Sequence, residues 1–135
     1  MIRSSKKARQ RRSLVIKLDA LARERCFERD NHMCVRCHNS RKVQWAHVIS
    51  RRHLITRWEL DNALSLCYTC HAFWHSYPSL SGPWFAKGWP HRHERITALF
   101  NEGGKVDLEA LLEEMTTPPS VTQYMSVPKD SDLPF

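Results

Sequence analysis

Two Cys-x-x-Cys pairs, Cys34/Cys37 and Cys67/Cys70, carry the most explicit chemistry in this 135-residue chain. Four soft thiolates suit a tetrahedral zinc ion. With every position filled by protein, such a site is structural and leaves no room for a substrate or an activated water. Directly after the second pair come His71 and His75, four residues apart. On a helix that spacing puts both imidazoles on one face, where they can grip a single metal ion. Asn62 precedes a short apolar run, residues 63–66, and His47 lies inside another run of strand formers, residues 43–49.

These side chains need elements to hold them. Residues 43–49 and 63–66 read as two strands that pair, and residues 68–77 as a helix that Pro78 stops. Asp30-Asn31-His32 is a turn signal leading into the first cysteine pair, whose tight turn aims backbone amides at the thiolates. Before it, Leu14, Val15, Leu18, Leu21, Ala22 and Cys26 recur at helical spacing, predicting a helix over 13–29 with Ser13 as N-cap. Cys26, outside both pairs, falls on the apolar side of that helix as a small buried residue. Residues 79–90 are broken up by Gly82, Pro83, Gly88 and Pro90 and receive no regular element; Trp84, Phe85 and Trp89 there read as satellite core rather than as base-stacking surfaces. Ile96, Leu99 and Phe100 predict a helix over 91–101, ended by Gly103-Gly104. Asp107 caps a last helix with Leu108, Leu111, Leu112 and Met115 inward and Glu109, Glu113 and Glu114 outward. The expected fold is α+β, a small core with a structural four-cysteine zinc site flanked by N- and C-terminal helices.

Charge is distributed unevenly. The formal net charge is +7, but residues 1–60 hold 16 basic and 5 acidic side chains, whereas residues 61–135 hold 5 and 9. A strongly basic half points to a polyanionic partner, most often nucleic acid. Lys6, Lys7, Arg9, Arg11 and Arg12 crowd a segment with almost nothing apolar, so residues 1–12 read as a disordered arm, either settling onto phosphates or simply solvated. Arg51, Arg52 and Arg57, interleaved with His53 and Trp58, occupy the connection between the strands and suit a DNA backbone. Residues 13–117 form the folded domain, and residues 118–135, with four prolines and no apolar period, read as a disordered tail. The apolar patch 14–21 is interrupted by Lys17 and Asp19, so it is no signal peptide, and no run reaches transmembrane length. A cytoplasmic location with reduced thiols on zinc, and no membrane partner, is the expectation.

Taken together, Ala46-His47-Val-Ile-Ser-Arg, Asp61-Asn62 and Leu66-Cys67-x-x-Cys70-His71-x-x-x-His75 resemble an HNH endonuclease of the ββα-metal fold. The resemblance is to the zinc-stapled variety common in phages, and the Ser-Arg-Arg-His-Leu-Ile-Thr-Arg-Trp loop resembles a branch described as phage recombination endonucleases. It spans roughly residues 30–78 and fixes four site residues and four cysteines in order. It implies His47 as the general base toward the attacking water, a role suited to an imidazole whose ordinary pKa is about 6.5. It implies Asn62 as the residue orienting the loop that carries the base, and in some members a help to the metal. His71 and His75 correspond to ligands of a catalytic divalent ion, Mg²⁺, Mn²⁺, Ni²⁺ or Zn²⁺. The implied reaction is hydrolysis of a DNA phosphodiester to a 5′ phosphate and a 3′ hydroxyl, in phage-related recombination, DNA processing or packaging.

One position departs from the pattern. Many relatives carry Asp or His just before the base as a further ligand, and here that residue is Ala46. Three outcomes are open: the ion is held by His71 and His75 with water and the DNA phosphate; His47 is itself a ligand, with His53 or water taking the proton; or the site is inactive. The alternative function is accordingly a zinc-stapled DNA-binding or scaffold module without chemistry. A zinc deaminase is set aside, because its Glu two residues after the ligand histidine is replaced here by Ile49. Monomer and homodimer are both compatible with the sequence.

Overall fold

The computed structural model describes residues 3–117, so the tail expected over 118–135 lies outside the described residues. The elements run α1 (Lys6–Arg29), β1 (Gln44–His47), α2 (Leu54–Arg57), a 3-10 turn (Leu60–Asn62), β2 (Ala63–Leu66), α3 (Tyr68–Ser76), α4 (Pro78–Gly88), α5 (Pro90–Glu102) and α6 (Leu108–Thr116). Among the described residues the fold is α+β, six helices around one two-stranded antiparallel sheet.

The strands pair in the register Gln44↔Leu66, Trp45↔Ser65, Ala46↔Leu64 and His47↔Ala63. Alternation along a strand sends neighbouring side chains to opposite faces. Leu64, Leu66 and Ala46 enter a core with Trp74, Phe85, Trp89 and Ile96. On the other face Ser65 meets Cys26 of α1, with 3.4 Å between Sγ and Oγ, and Trp45 packs against a second cluster built from Leu18, Ala22, Trp58, Leu108 and Met115. Each large apolar side chain removed from water here contributes about 1.5–3 kcal/mol, which is how so short a sheet is held between helices.

The two edges of the sheet differ. The N–H of Ser65 donates to the Asp30 carboxylate at 3.1 Å, and its carbonyl accepts from Val35 N at 2.9 Å. The Ala63 carbonyl accepts from the guanidiniums of Arg29 and Arg92, both at 2.6 Å. The outer edge of β2 is thus closed by side chains and by the cysteine-bearing turn. Because the backbone groups of Ser65 point away from β1, those of its partner Trp45 point away from β2, to an edge of β1 that no described strand covers.

Several boundaries differ from those the sequence predicts. The helix expected over 13–29 begins at Lys6, so most of the expected disordered arm is helical; its cap is Ser5, whose Oγ accepts from Ala8 N at 3.1 Å, and not Ser13. Lys, Arg, Ala and Gln are good helix formers, and a helix already anchored at Leu18 extends through them without a new nucleus. The stretch 79–90, expected without regular structure, is helical over 79–88 in α4, with Pro78 in its first turn and Pro83 inside it, and Pro90 opens α5. Phe85 and Trp89, 0% and 4% exposed, fix that helix in the core, and Ser81 Oγ donates to the carbonyls of Trp74 and Tyr77 at 3.0 and 3.1 Å. Burial of the aromatics outweighs the proline. β1 is shorter than the run 43–49, because Val48 and Ile49 turn off toward Asn62. Asp107 does cap α6, accepting from Ala110 N at 3.1 Å.

Candidate functional site

The cysteine cluster is assembled from two elements. Cys34 and Cys37 lie on the turn after α1, which closes with His38 in a left-handed conformation (φ 62°) and its N–H on the Cys34 carbonyl at 2.9 Å. Cys67, the residue after β2, is the N-cap of α3, and Cys70 sits in the first turn of α3. The four sulfurs all lie within 4.8 Å of one another, and Cys37 and Cys67 are 3.6 Å apart. A tetrahedral zinc with bonds of about 2.3 Å spaces its sulfurs about 3.8 Å apart, so the cluster can hold a structural metal such as zinc. The N–H of Cys70 points at Cys67 and holds that thiol down at about 7, which favours thiolate; burial pushes the Cys70 thiol up to about 12, against the Arg36 guanidinium that donates to its Sγ at 3.6 Å. Cys26 stands apart: it is buried, and burial pushes its thiol up to about 11.

Immediately beyond Cys70, α3 presents His71 and His75 on one face, with 3.0 Å between their Nε2 atoms. His71 Nδ1 lies 2.7 Å from Gln44 Oε1 of β1. An amide oxygen only accepts, so Nδ1 carries the proton and Nε2 is the bare nitrogen. Burial, and then the charge of His75, lower the pKa of His71, which keeps Nε2 available at neutral pH. Gln44 is a site residue that the sequence motifs do not pick out. Its signal is the strand alternation that places residue 44, two before Ala46, on the side of the sheet facing α3.

His47 ends β1 and is 9% exposed. Its ring packs on Trp45 with 4.2 Å between centroids. Its Nε2 lies 3.1 Å from the carbonyl oxygen of Arg57. A carbonyl only accepts, so Nε2 is protonated and Nδ1 carries the lone pair. Burial lowers the His47 pKa to about 4, and the Arg51 and Arg57 charges add to it against the opposing carbonyl. Asn62, fully buried, accepts from Ile49 N at 2.7 Å and donates to the carbonyls of Ile49 and Thr56, both at 3.0 Å. Its amide ties Ile49 in the loop after β1 to Thr56 of α2, which makes it a positioning residue.

His47, His71 and His75 line one cleft of about 580 Å³, together with Trp45, Ser50, Arg51 and Trp74. Arg51 and Arg52 are exposed at this end of the molecule. Arg57, grouped with them on sequence, is taken up elsewhere. Its guanidinium pairs with Asp19 of α1 at 2.9 and 2.6 Å, and Trp58 Nε1 donates to the same carboxylate at 2.7 Å. Burial alone raises the Asp19 pKa, but the hydrogen bonds from Arg57 and Trp58 outweigh it and hold the carboxyl below its ordinary value. Arg57 is therefore a brace between α1 and the loop that carries its own carbonyl to His47. His53 is turned away, edge-on to Phe100 with 5.0 Å between ring centroids, and does not line the cleft. Lys6, Lys7, Arg9, Arg11 and Arg12 are exposed on α1.

The fold and the side chains define an α+β protein with a four-cysteine cluster beside a histidine-lined cleft, and no described helix is long and apolar enough to cross a membrane. The chain matches no known family, no curated protein and no solved structure.

Proposed function

We propose that this chain is a metal-dependent DNA endonuclease of the HNH type, hydrolysing phosphodiester bonds to a 5′ phosphate and a 3′ hydroxyl. The observation that carries the reading is the convergence of His47, His71 and His75 on one cleft. Nothing but tertiary structure brings these rings together, and the bare nitrogens of His47 and His71 are each fixed by a neighbour suited to the role.

His47 takes the proton of the attacking water at Nδ1, while its Nε2–H stays on the Arg57 carbonyl. As the water oxygen bonds to phosphorus, the bond from phosphorus to the 3′ oxygen breaks, and that oxygen leaves as a hydroxyl after protonation by solvent. His71 and His75 would hold a divalent ion, and such an ion would offset charge on the phosphate and on the leaving oxygen. Two imidazole donors would favour Mn²⁺, Ni²⁺ or Zn²⁺ over Mg²⁺, which prefers oxygen ligands. Arg51 and Arg52, both exposed, bind the phosphate backbone, and Asn62 keeps the base-bearing loop in register.

The test is nicking of supercoiled plasmid in Mn²⁺ or Mg²⁺, abolished by EDTA. His47→Ala is expected to lose cleavage by at least about 10²-fold while keeping the far-ultraviolet spectrum of the parent. Undiminished cutting by pure His47→Ala would refute the assigned base.

A second reading, a metal-stapled DNA-binding module without chemistry, draws on Ala46. That residue is 0% exposed in the core and offers no ligand where the HNH pattern often carries one. It predicts salt-sensitive DNA binding with no cleavage under any divalent ion.

A further inference from the structure

Residues 6–13 of α1 are exposed without exception, and the helix first touches the body at Leu14 and Val15. Two turns of helix therefore stand clear of the domain. They carry Lys6, Lys7, Arg9, Arg11 and Arg12 and no carboxylate. Lys6 and Lys7 occupy the first turn, where cations oppose the helix dipole and no acid relieves them. The ion pairs of Arg29, Arg57 and Arg95 all lie off this extension. The extension is a rigid, self-repelling cationic rod, and its stability rises when a polyanion surrounds it.

From this we infer that the first two turns of α1 form a groove-inserting helix that makes the substrate B-form duplex DNA. The inference rests on the nuclease reading and names the substrate class of that site. At about 100° per residue the five cations are spread round the whole circumference. A helix lying on a flat anionic surface would confine its charge to one side and offer an apolar face to the other, and this segment has only Ala8 to offer. Charge on all sides fits a channel walled by phosphates on both sides. A helix with side chains is about 10–12 Å across, and the major groove of B-DNA is about 12 Å wide. The deep, narrow major groove of duplex RNA does not admit it, and a single strand has no second wall.

The extension is rigidly coupled to the cleft. Asp19, further along the same helix, grips Arg57 and Trp58, and the Arg57 carbonyl holds His47. Toward its C-terminus α1 is fixed at Cys26 against Ser65 of β2, so the basic turns run on past the Asp19 brace, away from the sheet. Lys6 lies about 20 Å from Asp19 along the helix axis, or about six base pairs at about 3.4 Å each.

Binding is measured on full-length His47→Ala protein with a 30-base-pair DNA duplex, the same DNA as a single strand, and a duplex RNA of equal length. Two further variants are made on it. One replaces Lys6, Lys7, Arg9, Arg11 and Arg12 together by Gln; the other, Gln10→Pro, keeps every charge and breaks the extension. The first is expected to weaken duplex DNA binding at least tenfold and to flatten its salt dependence. Gln10→Pro is expected to lose at least threefold on duplex DNA and nothing on the single strand. Duplex DNA binding by Gln10→Pro equal to that of its parent would show that charge on a loose arm suffices, and equal binding of duplex RNA would remove the groove; either overturns the inference. If parental protein cuts plasmid while these comparisons fail, the groove helix alone is lost; if it neither binds nor cuts DNA, the nuclease reading goes too.

Discussion

His47 Nε2 sits 3.1 Å from the main-chain carbonyl oxygen of Arg57, ten residues further along the chain. That contact settles which nitrogen of the ring is basic, and burial sets when it is neutral. With a pKa near 4 in place of the ordinary value of about 6.5, His47 is unprotonated across the whole neutral range. Cleavage is therefore expected to stay level from pH 8 down to about 6 and to fall only toward pH 4–5. A pH–rate profile with a single limb near 6.5 would contradict this environment for the base. Stability follows the same sign: the unfolded imidazole binds a proton that the folded one refuses. The contribution is complete above about pH 6.5 and is lost as pH falls through about 4, amounting to about 3 kcal/mol. Midpoints of urea unfolding at pH 7 and pH 5 for parent and His47→Phe measure it, with the parent expected to lose more.

Asn62→Ala removes one acceptor and two donor contacts at once, taking this partner from Ile49 N and the Ile49 carbonyl and leaving the Thr56 carbonyl only its backbone bonds. The expected cost is about 2–4 kcal/mol of stability, read from chemical denaturation. The loop from β1 to α2 should also lose amide-exchange protection first at Ile49. Unchanged stability would show that water replaces the amide without penalty.

Gln44→Leu preserves bulk on the sheet but removes the oxygen that orients His71. The expected outcome is a divalent-ion affinity about 10–100-fold weaker, with thermal stability close to the parent and cleavage restored at higher Mn²⁺. Isothermal titration with Mn²⁺ checks it; identical affinity would mean that His71 needs no orienter.

Cys67→Ser or Cys70→Ser breaks a cluster that joins the turn after α1 to the start of α3. About one zinc per chain is expected in purified protein by inductively coupled plasma mass spectrometry, and none in either variant. The variants should unfold at markedly lower denaturant concentration, because the ion staples segments far apart in sequence. Exposed Cys37 is expected to be the first thiol to react with a maleimide once a chelator has stripped the metal. Full protection after chelation would argue against a metal-held cluster.

Features whose chemistry is local could be read from the chain alone. The cysteine pairs declare themselves because a metal needs ligands at fixed short spacings. β2 was legible to the residue, Ala63 to Leu66, since a fully buried strand must be an unbroken run of small and apolar side chains. Helix-borne His71 and His75 followed from periodicity, and Asp107 announced the start of α6. Other features answer to forces that sequence windows do not contain. The charge of residues 6–12 looks like disorder until an anchored helix carries on through them, and Gly82 and Pro83 look like a loop until Phe85 and Trp89 bury themselves beside Trp74. Arg57 looks like a phosphate ligand until Asp19, 38 residues away, claims it. Gln44 looks like an ordinary strand residue until it meets His71, 27 residues on. Sequence determined the ligand types and the strand–strand–helix order, because those are written in spacing. Tertiary structure alone decided which polar groups are partnered, which nitrogen of His47 and of His71 is bare, and that three distant histidines line one cleft, because burial and hydrogen bonding depend on what arrives from elsewhere in the chain.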